Sequence, residues 1–207
     1  MWKKPLKGQA EDGRICNIIV IDSEGLGAVD QDSNHDCRIF ALVLLISSMF
    51  IYNSIGTIDE NAISNLSLVV NLTKHIHVKS KNEDLDNEEY ANYFPSFLWV
   101  LRDFTLQLVD HDGEEISSTK YLENSLSPQK GFSDEIEEKN RIRRLIQTFF
   151  KDRDCFTMIR PLTDEEDLHV LDQTDIEKLR PEFIEQVLDL RKRVFSGARC
   201  KTLRGKP

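Results

Sequence analysis

Residues 15–27 read ICNIIVIDSEGLG and residues 97–104 read FLWVLRDF. Each is a short apolar run that stops in turn-forming residues. Each also sets an aspartate, Asp22 or Asp103, at or just past the place where the run stops. An unbroken apolar run of this length reads as a strand buried on both faces, the pattern of a parallel sheet. Cys16 to Asp22 and Phe97 to Leu101 are therefore expected as buried parallel strands. Met49 to Asn53 (MFIYN) and Cys155 to Ile159 (CFTMI) have the same character, the first ending before Gly56 and the second at Arg160-Pro161.

Helical spacing fills the intervals. Ser33 to Asp36 supplies helix-start residues, and Ile39 to Ile46 is apolar all round, which predicts a helix buried on every side. A helix from Asp59 carries Ile63, Leu66, Val69, Val70 and Thr73 and is expected to reach about Val78, followed by a polar loop over Lys79 to Asn92. Thr105 to Asp134 is less regular, with turn signals at Asp112-Gly113 and Pro128 and a short helix around Lys120 to Leu126. Glu135 to Phe150 is amphipathic: Ile142, Leu145, Ile146, Phe149 and Phe150 form its stripe, and Arg141, Arg143 and Arg144 are expected on its wet face. The last helix begins near Pro181, where a missing N–H costs nothing, and ends at Gly197. Ile184, Val187, Leu188, Val194 and Phe195 are its expected buried face.

This alternation predicts an α/β fold: three layers, a mostly parallel sheet with helices on both faces. Ligands of such sheets sit beyond the carboxyl ends of the strands, so Asp22 and Asp103 are expected to face one crevice. Composition narrows the ligand. The net charge of −9 excludes a phosphate-backbone binder, hence no nucleic-acid partner, while leaving room for one nucleotide. The four cysteines, Cys16, Cys37, Cys155 and Cys200, have no metal spacing and fit a reducing, cytoplasmic setting. The apolar stretch Ile39 to Ile51 is too short for a transmembrane segment. Histidines 35, 75, 77 and 111 show no metal spacing either.

An aspartate at a strand end can hold the waters of a Mg²⁺ that bridges two phosphates, and a glycine three residues on lets a backbone N–H meet a terminal phosphate. D-x-x-G also arises in ordinary turns. A carboxylate such as Asp103 can accept two hydrogen bonds from the N1–H and N2–H₂ edge of guanine, a pair adenine cannot offer. Arg102 can lay its guanidinium plane against the base. Arg102-Asp103 taken alone reads rather as a surface ion pair at a strand end.

Together these stretches resemble the GTPase domain of the guanylate-binding protein family, of the dynamin-like superfamily. Asp22 to Gly27 (DSEGLG) is similar to the family's D-T-E-G-L-G, with Ser23 for Thr, and Ile39 to Ile58 is similar to the segment that follows it. Leu101 to Phe104 (LRDF) resembles the R-D replacement of the usual guanine motif, which atlastins share. Arg160-Pro161 resembles the start of the base-capping loop, and Lys201 to Leu203 (KTL) the domain's end. The resemblance implies GTP as ligand and Mg²⁺ as cofactor, held through water by Asp22. It implies nucleotide contacts from Asp22, Ser23, Glu24, Gly25, Leu26, Arg102, Asp103 and Arg160, with Gly25 at the γ-phosphate and Asp103 on guanine. Glu24 would act catalytically, in the network that orders the attacking water. It also implies homo- or heterodimers through GTPase domains, to which Arg141, Arg143 and Arg144 could contribute.

The phosphate cradle G-x-x-x-x-G-K-[ST] occurs nowhere in the 207 residues. By resemblance, the cradle, the first strand, the catalytic arginine and the first switch belong ahead of Met1, and a helical region belongs after Pro207. Residues 1–207 are thus expected as a partial GTPase domain, its helical domain absent, from an incomplete gene model or a fragment. Three lost charge-assisted hydrogen bonds, at about 1.5–3 kcal/mol each, weaken GTP binding by roughly three to six decades. The alternative is a non-catalytic pseudo-GTPase that pairs with intact relatives.

Overall fold

The computed structural model describes residues 4–9, 13–23, 33–67, 94–197 and 199–201, with only the backbone of 33–37. Three strands, β3 (Met49–Ile55), β4 (Ser96–Arg102) and β5 (Arg153–Thr157), form a parallel sheet in the order β3-β4-β5. Two others, β1 (Leu6–Gln9) and β2 (Ile15–Ile18), form a separate antiparallel pair.

The central strand shows why the sheet forms. Phe97 through Leu101 are all buried, because consecutive side chains alternate between two covered faces. Phe97, Trp99 and Leu101 point to a core shared with Phe50 of β3 and Cys155 of β5. That core is covered by α1 (Ser33–Ile46), α2 (Glu60–Asn65), α3 (Ser118–Ser125) and α4 (Asp134–Phe149). Leu98 and Val100 point the other way, to Phe156, Met158 and the long last helix, numbered α6 below (Pro181–Ser196). The short helix before it is α5 (Glu165–Leu168). Helices thus lie on both faces, the expected three-layer α/β arrangement.

Five expectations need correction. Cys16 to Asp22 is not a buried parallel strand: β2 spans Ile15–Ile18, runs antiparallel to β1, and leaves Ile15, Ile19, Val20 and Ile21 exposed. An apolar run fixes a strand but not its partner. Here the partner is LKGQ, whose Gly8 admits Ile18: a Cβ at position 8 would stand 2.5 Å from Ile18 Cδ1. The hairpin faces the outer side of α6 across a hollow of about 390 Å³ lined by Leu6, Lys7, Leu188, Arg191, Lys192 and Phe195.

The second correction concerns α1, which buries Phe40 and Leu44 but exposes Leu42, Leu45 and Ile46. Its helix lies against the sheet on one side only among the described residues. Third, α6 turns Phe183, Leu190 and Val194 to the sheet, whereas Val187 and Leu188 are exposed.

Fourth, Arg143 is no wet-face residue: it is 2% exposed and ion-paired with Glu60. Its Nε also donates to the Ser125 carbonyl at 3.3 Å. Three helices meet there, so the guanidinium stands where the spacing alone would put it in water. Asp59 caps α2 as expected, accepting from the Ala62 N–H at 2.7 Å. Fifth, that helix does not continue as expected: it ends at Asn65, with Leu66 as its C-cap and Ser67 in a turn, while Val69, Val70, Thr73 and Val78 and the polar loop Lys79 to Asn92 lie outside the described residues.

Candidate functional site

The strands are parallel and in register, so their carboxyl ends form one edge. Ile55 pairs with Arg102, and Leu101 with Thr157. Beyond these pairs the backbone is tied twice more: Gly56 N–H donates to the Arg102 carbonyl at 2.7 Å, and Met158 N–H to the Leu101 carbonyl at 2.8 Å. Gly56 makes its turn at φ 78, a conformation glycine adopts without strain.

Asp103 follows at once and is held in the left-handed region, φ 55. Among the described residues it is the sole non-glycine there. Aspartate tolerates that region better than most residues, yet the conformation costs on the order of 1 kcal/mol and persists only when neighbours enforce it. Those neighbours are visible. Leu101 is buried on one side, and on the other Phe104 N–H donates to the Met158 carbonyl at 2.9 Å. The buried Phe104 ring stands edge-on to Tyr121 at 5.6 Å. The chain is pinned before and after Asp103, so its half-buried carboxylate is presented at the strand end beside the exposed Arg102.

Arg160 lies just past β5 on the same edge, exposed, with its Nη1 3.2 Å from Glu165 Oε1 in α5. The backbone around it is anchored to α6. Ile159 N–H donates to Gln186 Oε1 at 2.8 Å, and Arg180 N–H to the Pro161 carbonyl at 2.9 Å. Two 3-10 turns, Leu171–Gln173 and Ile176–Lys178, complete the excursion between α5 and α6.

Parallel pairing therefore brings Arg102, Asp103 and Arg160 to one mouth. It does not bring Asp22 there: Asp22 and Ser23 are exposed residues past β2, whose only strand partner among the described residues is β1. Glu24, Gly25 and Leu26 lie outside the described residues. Gly56, Phe104 and Met158, which tie down the backbone around Asp103, carry no site motif in the sequence. The signal available for them was a glycine closing one strand and an apolar residue reopening the next segment.

For chemistry, this edge of the sheet carries Arg102 and Asp103 past β4 and the Arg160–Glu165 ion pair past β5, polar groups suited to a planar, polar ligand carrying negative charge elsewhere. Among the described residues no group of three or more His, Cys, Asp or Glu could hold a metal ion. No helix among them is long and apolar enough to cross a membrane.

Comparison with known proteins agrees with the motifs. The family model "Guanylate-binding protein, N-terminal domain" matches residues 1–203. Guanylate-binding protein 1 of Mus musculus is 42% identical over 209 aligned positions, covering 99% of this chain and 34% of that protein. Guanylate-binding protein 1 of Chlorocebus aethiops is 41% identical over 192 positions, 91% of this chain and 32% of the relative. Guanylate-binding protein 2 of Homo sapiens is 39% identical over 209 positions, again 99% and 34%. The chain thus spans about a third of the length of the curated relatives it matches.

Proposed function

The chain belongs to the guanylate-binding protein family, matching its N-terminal domain, and on that premise we propose that residues 1–207 are a GTPase-type domain that reads guanine at the carboxyl edge of its sheet. One observation supports the proposal: Asp103 is held in the left-handed region at the end of the central strand of the parallel sheet, directly after Arg102. In this reading the two Asp103 oxygens accept from N1–H and N2–H₂ of guanine. Arg102 lies against the ring, and Arg160 opens the segment that closes over it.

The resemblance of the DSEGLG run to the family motif, not the strand pairing, supports assigning the phosphate end to that run. Gly25 approaches the γ-phosphate, Ser23 and Leu26 line it, and Glu24 helps to order the attacking water. Mg²⁺ fits the donors present: it is a hard cation that keeps most of its waters and is commonly held by one or two carboxylates together with substrate phosphates. Asp22 is an exposed, single carboxylate of that type and would hold the ion through water. When bound, Mg²⁺ neutralises developing phosphate charge. Pairing of two such domains across the nucleotide face is the partner arrangement we propose, in a cytoplasmic setting.

The test exchanges one atom of Asp103. Asp103→Asn keeps the left-handed conformation, which asparagine also tolerates, but replaces an acceptor by a donor. Guanine nucleotide binding, read by calorimetry or a fluorescent GDP analogue, should weaken by about 100-fold. Xanthine nucleotide, whose C2 carbonyl accepts that donor, should gain. Equal binding of GDP and ADP by the unmodified chain would defeat the reading.

A further inference from the structure

Two contacts from different strand ends meet on one side chain. Tyr121 of α3 is half-buried against the core. Its hydroxyl oxygen accepts from the Ile58 N–H at 3.2 Å, across 63 positions of sequence. Its ring stands edge-on to Phe104, with centroids 5.6 Å apart and planes at 71°. Ile58 lies in the segment that leads from β3 into α2, and Phe104 follows Asp103 beyond β4. Tyr121 therefore touches the exits of two neighbouring parallel strands.

Those exits are also joined through the backbone, where Gly56 N–H donates to the Arg102 carbonyl at 2.7 Å. The phenol completes a ring of contacts. It runs from Asp103 through Arg102 and Gly56 to Ile58, then through Tyr121 to Phe104 and back to Asp103. A residue at φ 55 keeps that conformation only when its surroundings over-determine it, and this ring holds Asp103 from both sides. The helix that carries the phenol is itself fixed to the sheet. The Ser118 hydroxyl donates to the Cys155 carbonyl at 2.6 Å, the Thr119 hydroxyl bonds Asp154, and Leu122 is fully buried. A supporting side chain locked in this way can hold a functional group within about 0.5 Å of its working position.

We propose that Tyr121 is a positioning residue for guanine selectivity: it aligns the Asp103 carboxylate with the N1–H and N2–H₂ edge of the base without touching the nucleotide. The inference rests on the guanine reading proposed above and adds the residue on which its selectivity depends. Two parallel hydrogen bonds require a carboxylate in one orientation, whereas a single bond tolerates rotation. Inosine keeps N1–H and lacks the N2 amine. Its nucleotide thus reports that the carboxylate is present, and the ratio of guanine to inosine affinity reports how well it is aligned.

Calorimetric binding of GDP and IDP to the full 207-residue chain tests it. Tyr121→Phe keeps the ring and removes the acceptor of the Ile58 N–H. The GDP-to-IDP affinity ratio should fall roughly 10-fold, with IDP affinity changed by less than about twofold. In an Asp103→Asn background the same substitution should leave the ratio unchanged, because the carboxylate it aligns is gone. A purely structural role would lower both affinities together and preserve the ratio, and that result overturns the proposal. Should Tyr121→Phe fail to fold by circular dichroism, Phe104→Leu is read in the same way: it stays apolar but loses the ring contact, so a fallen ratio supports the proposal and a preserved one overturns it. No preference for GDP over IDP in the unmodified chain, including no binding of either, defeats the guanine reading itself. That outcome is distinct from a preference that the variants retain.

Discussion

A single residue can be held against its preference only if its neighbours agree, and Asp103 and Arg143 show two ways of doing this. Asp103 is fixed through its backbone, between buried Leu101 and Phe104. Arg143 is fixed through its side chain, buried against Glu60, whose own side chain is 37% exposed. That asymmetry decides which partner matters more. Arg143→Met leaves a carboxylate whose Oε1 still accepts from Gln129 Nε2 at 2.7 Å, on a side chain partly open to water, and should cost about 1–2 kcal/mol of stability. Glu60→Gln leaves a guanidinium with no counter-charge in a dry site, and should cost about 3 kcal/mol or more. Urea midpoints of the two variants check the order, and the reverse order would mean that the pair is solvated. Cys155 gives a pH prediction. Burial, with Asp154 beside it, pushes its thiol up to about 12 from an ordinary 9.0. The folded chain keeps that proton while the unfolded chain loses it. The group's contribution to stability is therefore intact below pH 9 and falls as pH rises towards 12. Cys155→Ala should flatten the decline of the urea midpoint across that window. In the native chain at pH 8.5, Cys155 should also alkylate far more slowly than Cys16 or Cys200, which are half-buried.

At the scale of elements, what the sequence discloses depends on whether the signal is local. β4 is readable because five consecutive apolar residues need no partner to be recognised as doubly buried. α4 is readable because its stripe repeats at helical spacing, and Ser133 caps it. The hairpin is not: LKGQ carries no apolar signal, and nothing in ICNI says that its neighbour runs antiparallel. The side that a helix turns outward is equally hidden for α1, where the residues on both sides are Leu, Val and Ile. The candidate site divides in the same way. The placement of Arg102, Asp103 and Arg160 past strands of one sheet is readable from the runs they follow, whereas the place expected for Asp22 depends on a pairing that β2 does not make among the described residues. Asp59 is the element-scale lever. It caps a helix of only six residues that supplies both buried Ile63 and the partner of Arg143. Asp59→Ala should therefore lower stability by about 1 kcal/mol, and Asp59→Asn by much less, measured as a shift in the urea midpoint. Equal losses in the two variants would show that the charge at the helix start matters more than the hydrogen bond to Ala62.

For the whole molecule, the two sheets are held by unequal forces, and this has a kinetic consequence. The β3-β4-β5 sheet is clamped between α1 to α4 on one face and α6 on the other. Trp99, Leu101 and Cys155 are fully buried, and Phe50, Phe97 and Phe150 form a ring cluster with centroids 4.8–6.4 Å apart. To expose a β4 amide, that core must open. The β1–β2 hairpin has only half-buried or exposed residues, and it meets the body across the hollow beside Leu188 and Phe195. Little apolar area is lost when it lifts away. Local openings span the range from near zero to the global unfolding free energy, set by how much buried surface each one exposes. Hydrogen exchange on the 207-residue chain should therefore separate the molecule into two tiers. Amides of Leu98 to Leu101 should exchange only by global unfolding, with a denaturant dependence matching that of the urea transition. Amides of Lys7 and Cys16 should exchange several orders of magnitude faster, through openings that denaturant barely accelerates. Equal protection in hairpin and sheet would mean that the hairpin is joined to the core by contacts stronger than the half-exposed packing against α6 can supply.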